Sequence, residues 1–169
     1  MKTEMNVEQI MRSFLIDIFN EILKDEEKVV TKPFKNLSIR EVHVIEAVCN
    51  AEEHDKDNSA TAIAGYLDVT RGTLTTAVSG LERKGYLIRQ RDDKDKRVVR
   101  IIPTDAGRKV QRHHMLYHKK MVDDIMYLLD EEETTVLIKT LGSLATFFKA
   151  KRTHRPVTAK DLLSELDNS

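Results

Sequence analysis

The chain of 169 residues contains one cysteine, Cys49, no tryptophan, three prolines and six glycines. A single cysteine cannot close an internal disulfide, which excludes a stapled secreted scaffold and leads us to expect the reducing cytoplasm. So little proline and glycine in a chain rich in Lys, Glu and Leu favours helices with short connections over a barrel or a sandwich. No apolar run approaches the roughly 18 residues that span a bilayer, so a soluble protein without a membrane partner is expected. The opening MKTEMNVEQI lacks the basic, apolar, small-residue order of a signal peptide. Also missing are a glycine-rich phosphate loop, a metal-ligand motif at proper spacing and a Ser or Cys in a nucleophile context such as G-x-S-x-G. Asp123-Asp124 and Glu131-Glu132-Glu133 sit beside helix ends and read as caps. The chain is therefore not expected to be an enzyme, and no cofactor or metal is expected.

Net charge is absent overall, with 28 basic and 28 acidic side chains, yet the two signs are segregated. Residues 1–58 hold eight basic and 13 acidic side chains, whereas residues 71–112 hold 12 basic and five acidic. A neutral protein with one cationic block suggests a polyanion met by that block alone.

From Val7 to about Leu23 apolar residues recur at helical spacing and, with Ile16, sweep about two-thirds of the helix circumference. That is wider than one core needs, so a second surface is expected to pack on this helix. Lys32-Pro33 ends the region, and Ser38 with Glu41 forms a capping-box match opening a helix to about Val48. An acidic loop, Glu52 to Asn58, follows. Ser59 can cap a short helix carrying Ile63, Ala64 and Leu67, and Thr70 can cap another that ends at Lys84-Gly85. Tyr86–Arg91 and Arg97–Ile102 read as two antiparallel strands around a polar turn. Pro103 and Thr104 open a long helix to about Leu129, and Asp130 with Glu133 caps the last one, whose Leu137, Leu141, Leu144 and Phe148 make an apolar stripe. The expected architecture is mainly α with a small β wing: an N-terminal helix in 1–34, a helix-turn-helix with its hairpin in 35–104, C-terminal helices in 105–150 and a tail in 151–169. The tail is expected to be mobile or loosely docked, with a short helix at 158–166.

With Leu74, Ala77, Val78 and Leu81 facing inward, the second helix of the pair presents Gly72, Thr75, Thr76, Ser79 and Arg83 outward. Short hydroxyls and a glycine let a helix sink into a major groove, where Thr and Ser reach base edges, thymine methyls and phosphates. The hairpin adds Arg89, Arg91, Lys94, Lys96, Arg97 and Arg100, cations able to follow the backbone or enter a narrow minor groove.

The run from Ser59 to Gly107 resembles the winged helix-turn-helix of the MarR family of bacterial transcription regulators. Leu81-Glu82-Arg83-Lys84-Gly85-Tyr86-Leu87 matches the end of the family's recognition helix, and Asp95-Lys96-Arg97 matches its wing motif. The resemblance covers roughly residues 5–150. It implies a sequence-specific regulator binding double-stranded DNA at a pseudo-palindromic operator, as a homodimer with interlocked terminal helices. The DNA-contacting residues it implies are Thr70, Arg71, Gly72, Thr73, Thr75, Thr76, Ser79, Arg83, Arg89, Lys94, Asp95, Lys96 and Arg97, with Asp95 bracing Arg97. Asp25-Glu26-Glu27, Phe34–His43, Val69–Thr76 and His114–Val122 further resemble the FabT-type branch, repressors of fatty acid synthesis genes. That branch implies a long-chain acyl group on acyl carrier protein as corepressor, held between the first, second and fifth helices; Phe14, Ile18, Ile22, His43 and Met115 are the pocket candidates.

Alternatives are a MarR-type regulator answering another small molecule or an oxidative signal, and a winged helix that docks an acidic protein. Cys49 has no nearby basic residue in sequence to lower its pKa and no resolving cysteine, so structural burial is expected. His114 and His118, at i and i+4, share one helix face and could take a transition metal. Further ligands would have to come from His43, His54, Cys49 or a carboxylate elsewhere, and pocket-lining or interface histidines are the reading preferred.

Overall fold

The computed structural model describes residues 6–34, 36–92 and 95–153. The expected tail helix at 158–166 and the wing cation Lys94 lie outside them. Among the described residues, six helices and one two-stranded antiparallel sheet are ordered α1 (Val7–Thr31), α2 (Ile39–Glu53), α3 (Ala60–Tyr66), α4 (Arg71–Arg83), β1 (Leu87–Arg91), β2 (Val99–Pro103), α5 (Asp105–Leu128) and α6 (Glu131–Thr153).

Capping chemistry sets most of these boundaries. Asn6 with Gln9 and Ser38 with Glu41 form reciprocal capping boxes at α1 and α2. The Asp130 carboxylate accepts from Glu133 N while Glu133 accepts from Asp130 N at the head of α6. Ser59 and Thr70 cap α3 and α4 through Ala62 N and Thr73 N. Gly85, at φ +79°, ends α4 in the left-handed region where a Cβ is strained.

Helix α1 runs past the apolar stretch to Thr31, just before Lys32-Pro33, and its last two turns bury Glu26 together with Val30. Two expectations shift. Pro103 closes β2 opposite Leu87 instead of opening α5; the edge of a two-stranded sheet tolerates a missing N–H. Thr104 takes over as the start signal: its hydroxyl donates to Gly85 O at 2.7 Å and accepts from Gly107 N at 3.2 Å. α6 also runs on to Thr153, three residues beyond the expected limit of the C-terminal helices.

The chain forms two compact units, Met1–Lys120 and Met121–Ser169. In the first, Val42, Ile45 and Val48 of α2, Ile63 of α3, Leu74, Val78 and Leu81 of α4, Leu87 and Ile101 of the sheet and Val110 of α5 are buried. Phe14, Leu15, Ile16, Ile18 and Phe19 of α1 are more than half exposed. In the second, Val136, Ile138, Leu141, Phe147 and Phe148 are likewise more than half exposed, while Leu137 and Leu144 of the same helix are half-buried. Both units leave apolar helix surface in water, the feature that monomeric proteins keep small.

Candidate nucleic-acid interface

Helix α3, a turn through Asp68 at φ +53°, and α4 form the helix-turn-helix. Leu74, Val78 and Leu81 are buried, and Arg71, Gly72, Thr73, Thr75, Thr76 and Arg83 are exposed. The inward and outward faces of α4 are therefore those the apolar spacing requires. Thr70 and Thr73 pair hydroxyl to hydroxyl at 2.8 Å at the helix start, and the Thr76 and Ser79 hydroxyls donate to Gly72 O and Thr75 O. The backbonded Thr76 hydroxyl keeps an acceptor lone pair at an exposed position, whereas the half-buried Ser79 oxygen also accepts from Arg89.

The hairpin follows directly. Leu87 to Arg91 pairs in register with Pro103 to Val99, and Ile101 N donates to Asn58 O, which ties the wing to the loop before α3. Asp95 accepts from Arg97 N at 3.0 Å and itself donates from its N–H to Asp92 at 2.9 Å. Asp95 thus braces Arg97 through the backbone, leaving the guanidinium exposed at the wing tip.

The wing cations divide into two sets. Arg89 does not point along an approaching backbone: its guanidinium donates to Glu82, to Thr75 O at 2.9 Å and to Ser79 Oγ at 3.0 Å, while its N–H donates to Glu82 at 2.9 Å. It is a strut between β1 and α4. Arg100 is held by Asp92 at 2.9 Å and Asp57 at 2.7 Å, which joins the wing to the α2–α3 loop; hydrogen bonds from Ser59 and the Arg100 charge keep the Asp57 carboxyl below its usual range. Among the described residues, Arg71, Arg83, Arg91 and Arg97 make no internal ion pair and are exposed, which leaves their charge to an outside anion.

Glu41 joins this surface to the core. Its carboxylate closes the α2 capping box and also receives Lys84 Nζ, at the end of α4, at 2.7 and 2.8 Å. Burial pushes the Glu41 pKa up, but the hydrogen bonds from Lys84 and Ser38 outweigh it and hold the carboxyl below its usual range.

The pocket candidates are dispersed. Phe14 and Ile18 are more than half exposed, Ile22 more than a third and Met115 about half. His43 is half-buried and lines an open cavity of about 490 Å³ with Glu46, Ala47, Tyr66 and Leu67, residues of α2 and the end of α3. A polar cluster missed by apolar periodicity lies on the other side of His43, where buried Glu26 of α1 meets buried His114 and half-exposed His118 of α5. Ile22, Glu26 and Val30 are each four residues apart, so extending the α1 pattern past Leu23 would have turned Glu26 inward. Burial works against an ionised Glu26, but hydrogen bonds from His114 and His43 hold its pKa below the usual carboxylate value. Burial likewise lowers the His114 pKa, and the Glu46 and Glu26 carboxylates more than reverse it. Cys49 is fully buried, and burial pushes its thiol up to about 11.

A helix-turn-helix with a cationic hairpin beside its second helix is a winged helix, an architecture that sets a helix in the major groove and the hairpin along the flanking backbone. Residues 38–99 match the MarR family model. The structure is similar to Streptococcus pneumoniae FabT in complex with DNA, with 38% identity, 85% of this chain and 98% of that one covered, and a TM-score of 0.79. The transcriptional repressor YetL of Bacillus subtilis is 27% identical over 110 residues, which span 65% of this chain and 65% of the repressor. The MepR–DNA complex of S. aureus shares the fold at 21% identity, with 81% and 97% of the two chains covered and a TM-score of 0.64. The chain belongs to the MarR family of DNA-binding transcription regulators. The fold and the relatives are those of regulators and not of enzymes. No helix among the described residues is long and apolar enough to cross a membrane.

Proposed function

We propose that the protein is a homodimeric repressor of fatty acid synthesis genes, with a long-chain acyl group on acyl carrier protein as corepressor. The observation that carries this reading is the 38% identity to FabT over nearly that whole chain, in a structure with DNA bound. The α4 face and the unpaired Arg71, Arg83, Arg91 and Arg97 supply base-reaching hydroxyls and phosphate-seeking charge. Two copies, one recognition helix each, would read successive major grooves of a pseudo-palindromic site about one helical turn apart. The apolar surfaces of α1 and α6 would be covered by the second copy, and Phe14, Ile18, Ile22, His43 and Met115 would border the acyl chain in that assembly.

The test is fluorescence anisotropy of the purified chain with a duplex from its own upstream region, at several salt concentrations and against unrelated duplex. Specific binding by two chains per duplex, tightened by long-chain acyl carrier protein and not by the unacylated carrier, is the expected result. Specific binding indifferent to the acyl carrier would overturn the corepressor while leaving a MarR-type regulator. Failure of duplex DNA to bind specifically, with capture of the carrier protein alone, would favour a protein-docking wing.

A further inference from the structure

We propose that Glu26, His114 and His118, with His43 beside them, form a binding site for a divalent transition-metal ion, with Zn²⁺ the best-matched member of the class. Helix α1 supplies a carboxylate and α5 two imidazoles, one turn apart on the same face, and α2 brings a further imidazole, His43, to 3.3 Å from the carboxylate.

Three donor atoms, from Glu26, His114 and His118, converge on one point, and His43 stands beside them. Glu26 Oε1 lies 2.7 Å from His114 Nε2, 3.3 Å from His118 Nε2 and 3.3 Å from His43 Nε2, and the His114 and His118 Nε2 atoms are 2.8 Å apart. A tetrahedral Zn²⁺ with bonds of about 2.0–2.1 Å holds its ligand atoms about 3.3 Å from one another. The Glu26–His118 separation already has that value and the two short ones need to open by only about half an ångström, whereas His43 has to close on the two histidines to complete a tetrahedron.

Hydrogen bonding alone accounts poorly for the cluster. Each imidazole nitrogen carries either one proton or one lone pair. Three Nε2 atoms surround a single carboxylate oxygen, and two of them also face each other at contact distance. If both His114 and His118 carry a proton on Nε2, two N–H groups face each other at 2.8 Å, so one of the two turns a lone pair toward the centre of the cluster. A cation accepts such lone pairs and the carboxylate together.

The surroundings suit a ligand set. His114 is buried, and its other nitrogen, Nδ1, makes no aligned hydrogen bond but lies 3.4 Å from Glu46 Oε2. A carboxylate at that nitrogen favours the Nδ1–H tautomer and leaves the Nε2 lone pair for the metal, the usual outer support of a ligating histidine. The His43 and His118 side chains are 40% and 42% exposed, which gives an ion a way in. Three imidazoles and one carboxylate match zinc and its transition-metal neighbours, and not Mg²⁺ or Ca²⁺, which take oxygen ligands. Three converging donors, with His43 the fourth to be drawn in, make it a structural or regulatory site that clasps α1 to α5. The inference goes beyond the acyl corepressor reading and is measured without DNA or acyl carrier protein.

The untagged full-length protein, stripped with a chelator, is titrated with Co²⁺ and then Zn²⁺. One Co²⁺ per chain giving the intense visible bands of tetrahedral coordination, bleached by Zn²⁺, is the expected result. In competition with a chromophoric chelator, Glu46→Gln should weaken Zn²⁺ binding about 10–100-fold. His43→Ala and His118→Ala, both at partly exposed positions, should weaken it more, while His54→Ala, whose ring bonds only within its own helix end, should not change it. Circular dichroism and melting of each variant establish that it is folded. No tetrahedral Co²⁺ signal, or Zn²⁺ affinity unchanged in both His43→Ala and His118→Ala, would overturn the site. A loss of stability in those variants without a loss of metal affinity would do the same and leave only a structural polar network.

Discussion

Arg89 was grouped by sequence with the wing cations that meet DNA, but the structure makes it a strut, and the two roles differ in measurable ways. Arg89→Ala removes three guanidinium hydrogen bonds, to the Glu82 carboxylate, Thr75 O and Ser79 Oγ. Hydrogen bonds to charged groups contribute about 1.5–3 kcal/mol when buried. The Arg89 and Glu82 side chains are each 29% exposed, so water replaces part of what is lost. Glu82 also keeps the Arg89 N–H as a donor. The net expectation is about 1–3 kcal/mol of lost stability. For a chain of this length a kilocalorie shifts Tm by about 2–4 °C, giving a fall of about 2–12 °C in differential scanning calorimetry. In a double-mutant cycle with Glu82→Gln, the pair should couple by about 0.5–3 kcal/mol. The slope of log affinity against log salt for duplex DNA should be unchanged, since no phosphate contact is removed. An unchanged Tm together with a shallower salt slope would refute the strut and return Arg89 to the DNA.

Arg97→Ala is the converse case: it should leave Tm unchanged, cost about 1–3 kcal/mol in operator binding and make the salt slope shallower by about 1, read by anisotropy. Gly107→Ala would place a Cβ 2.4 Å from Tyr86 O, a backbone atom that cannot swing aside, and should destabilise by at least about 1–3 kcal/mol in denaturant unfolding. Cys49, with its thiol pushed up to about 11, should have only about a thousandth of its population as thiolate at pH 8 and resist iodoacetamide and peroxide in the folded protein. Rapid labelling of native Cys49, followed by mass spectrometry, would revive the oxidative-signal alternative.

Elements marked by local chemistry were legible in the sequence. The capping boxes at Ser38 and Asp130, the caps Ser59 and Thr70 and the stop at Gly85 each act within four residues of themselves. So was the outward face of α4, since its inward face is apolar at helical spacing. Partnerships across the chain were not legible. Arg100 meets Asp57 43 residues away, and His114 meets Glu26 88 residues away. Apolar periodicity runs out near Leu23 and cannot see that the last turns of α1 turn a carboxylate inward, so the burial of Glu26 was not legible. Proline at 103 misled for a related reason: the preference for Pro at a helix start is local, while its place opposite Leu87 is set by the sheet.

The double engagement of Glu41 makes α2 a lever. At 15 residues the helix is about 22 Å long, with its first turn fastened to the end of the groove-facing helix through Lys84. His43, near that end, touches the carboxylate of α1 and, farther along, Glu46 approaches a ring of α5. A rotation of roughly 5° about one end of such a rod carries the other end about 2 Å, comparable to the helix shifts that separate switching states. Whatever draws α1 and α5 together around that middle stretch is therefore transmitted as an angle to the reading head.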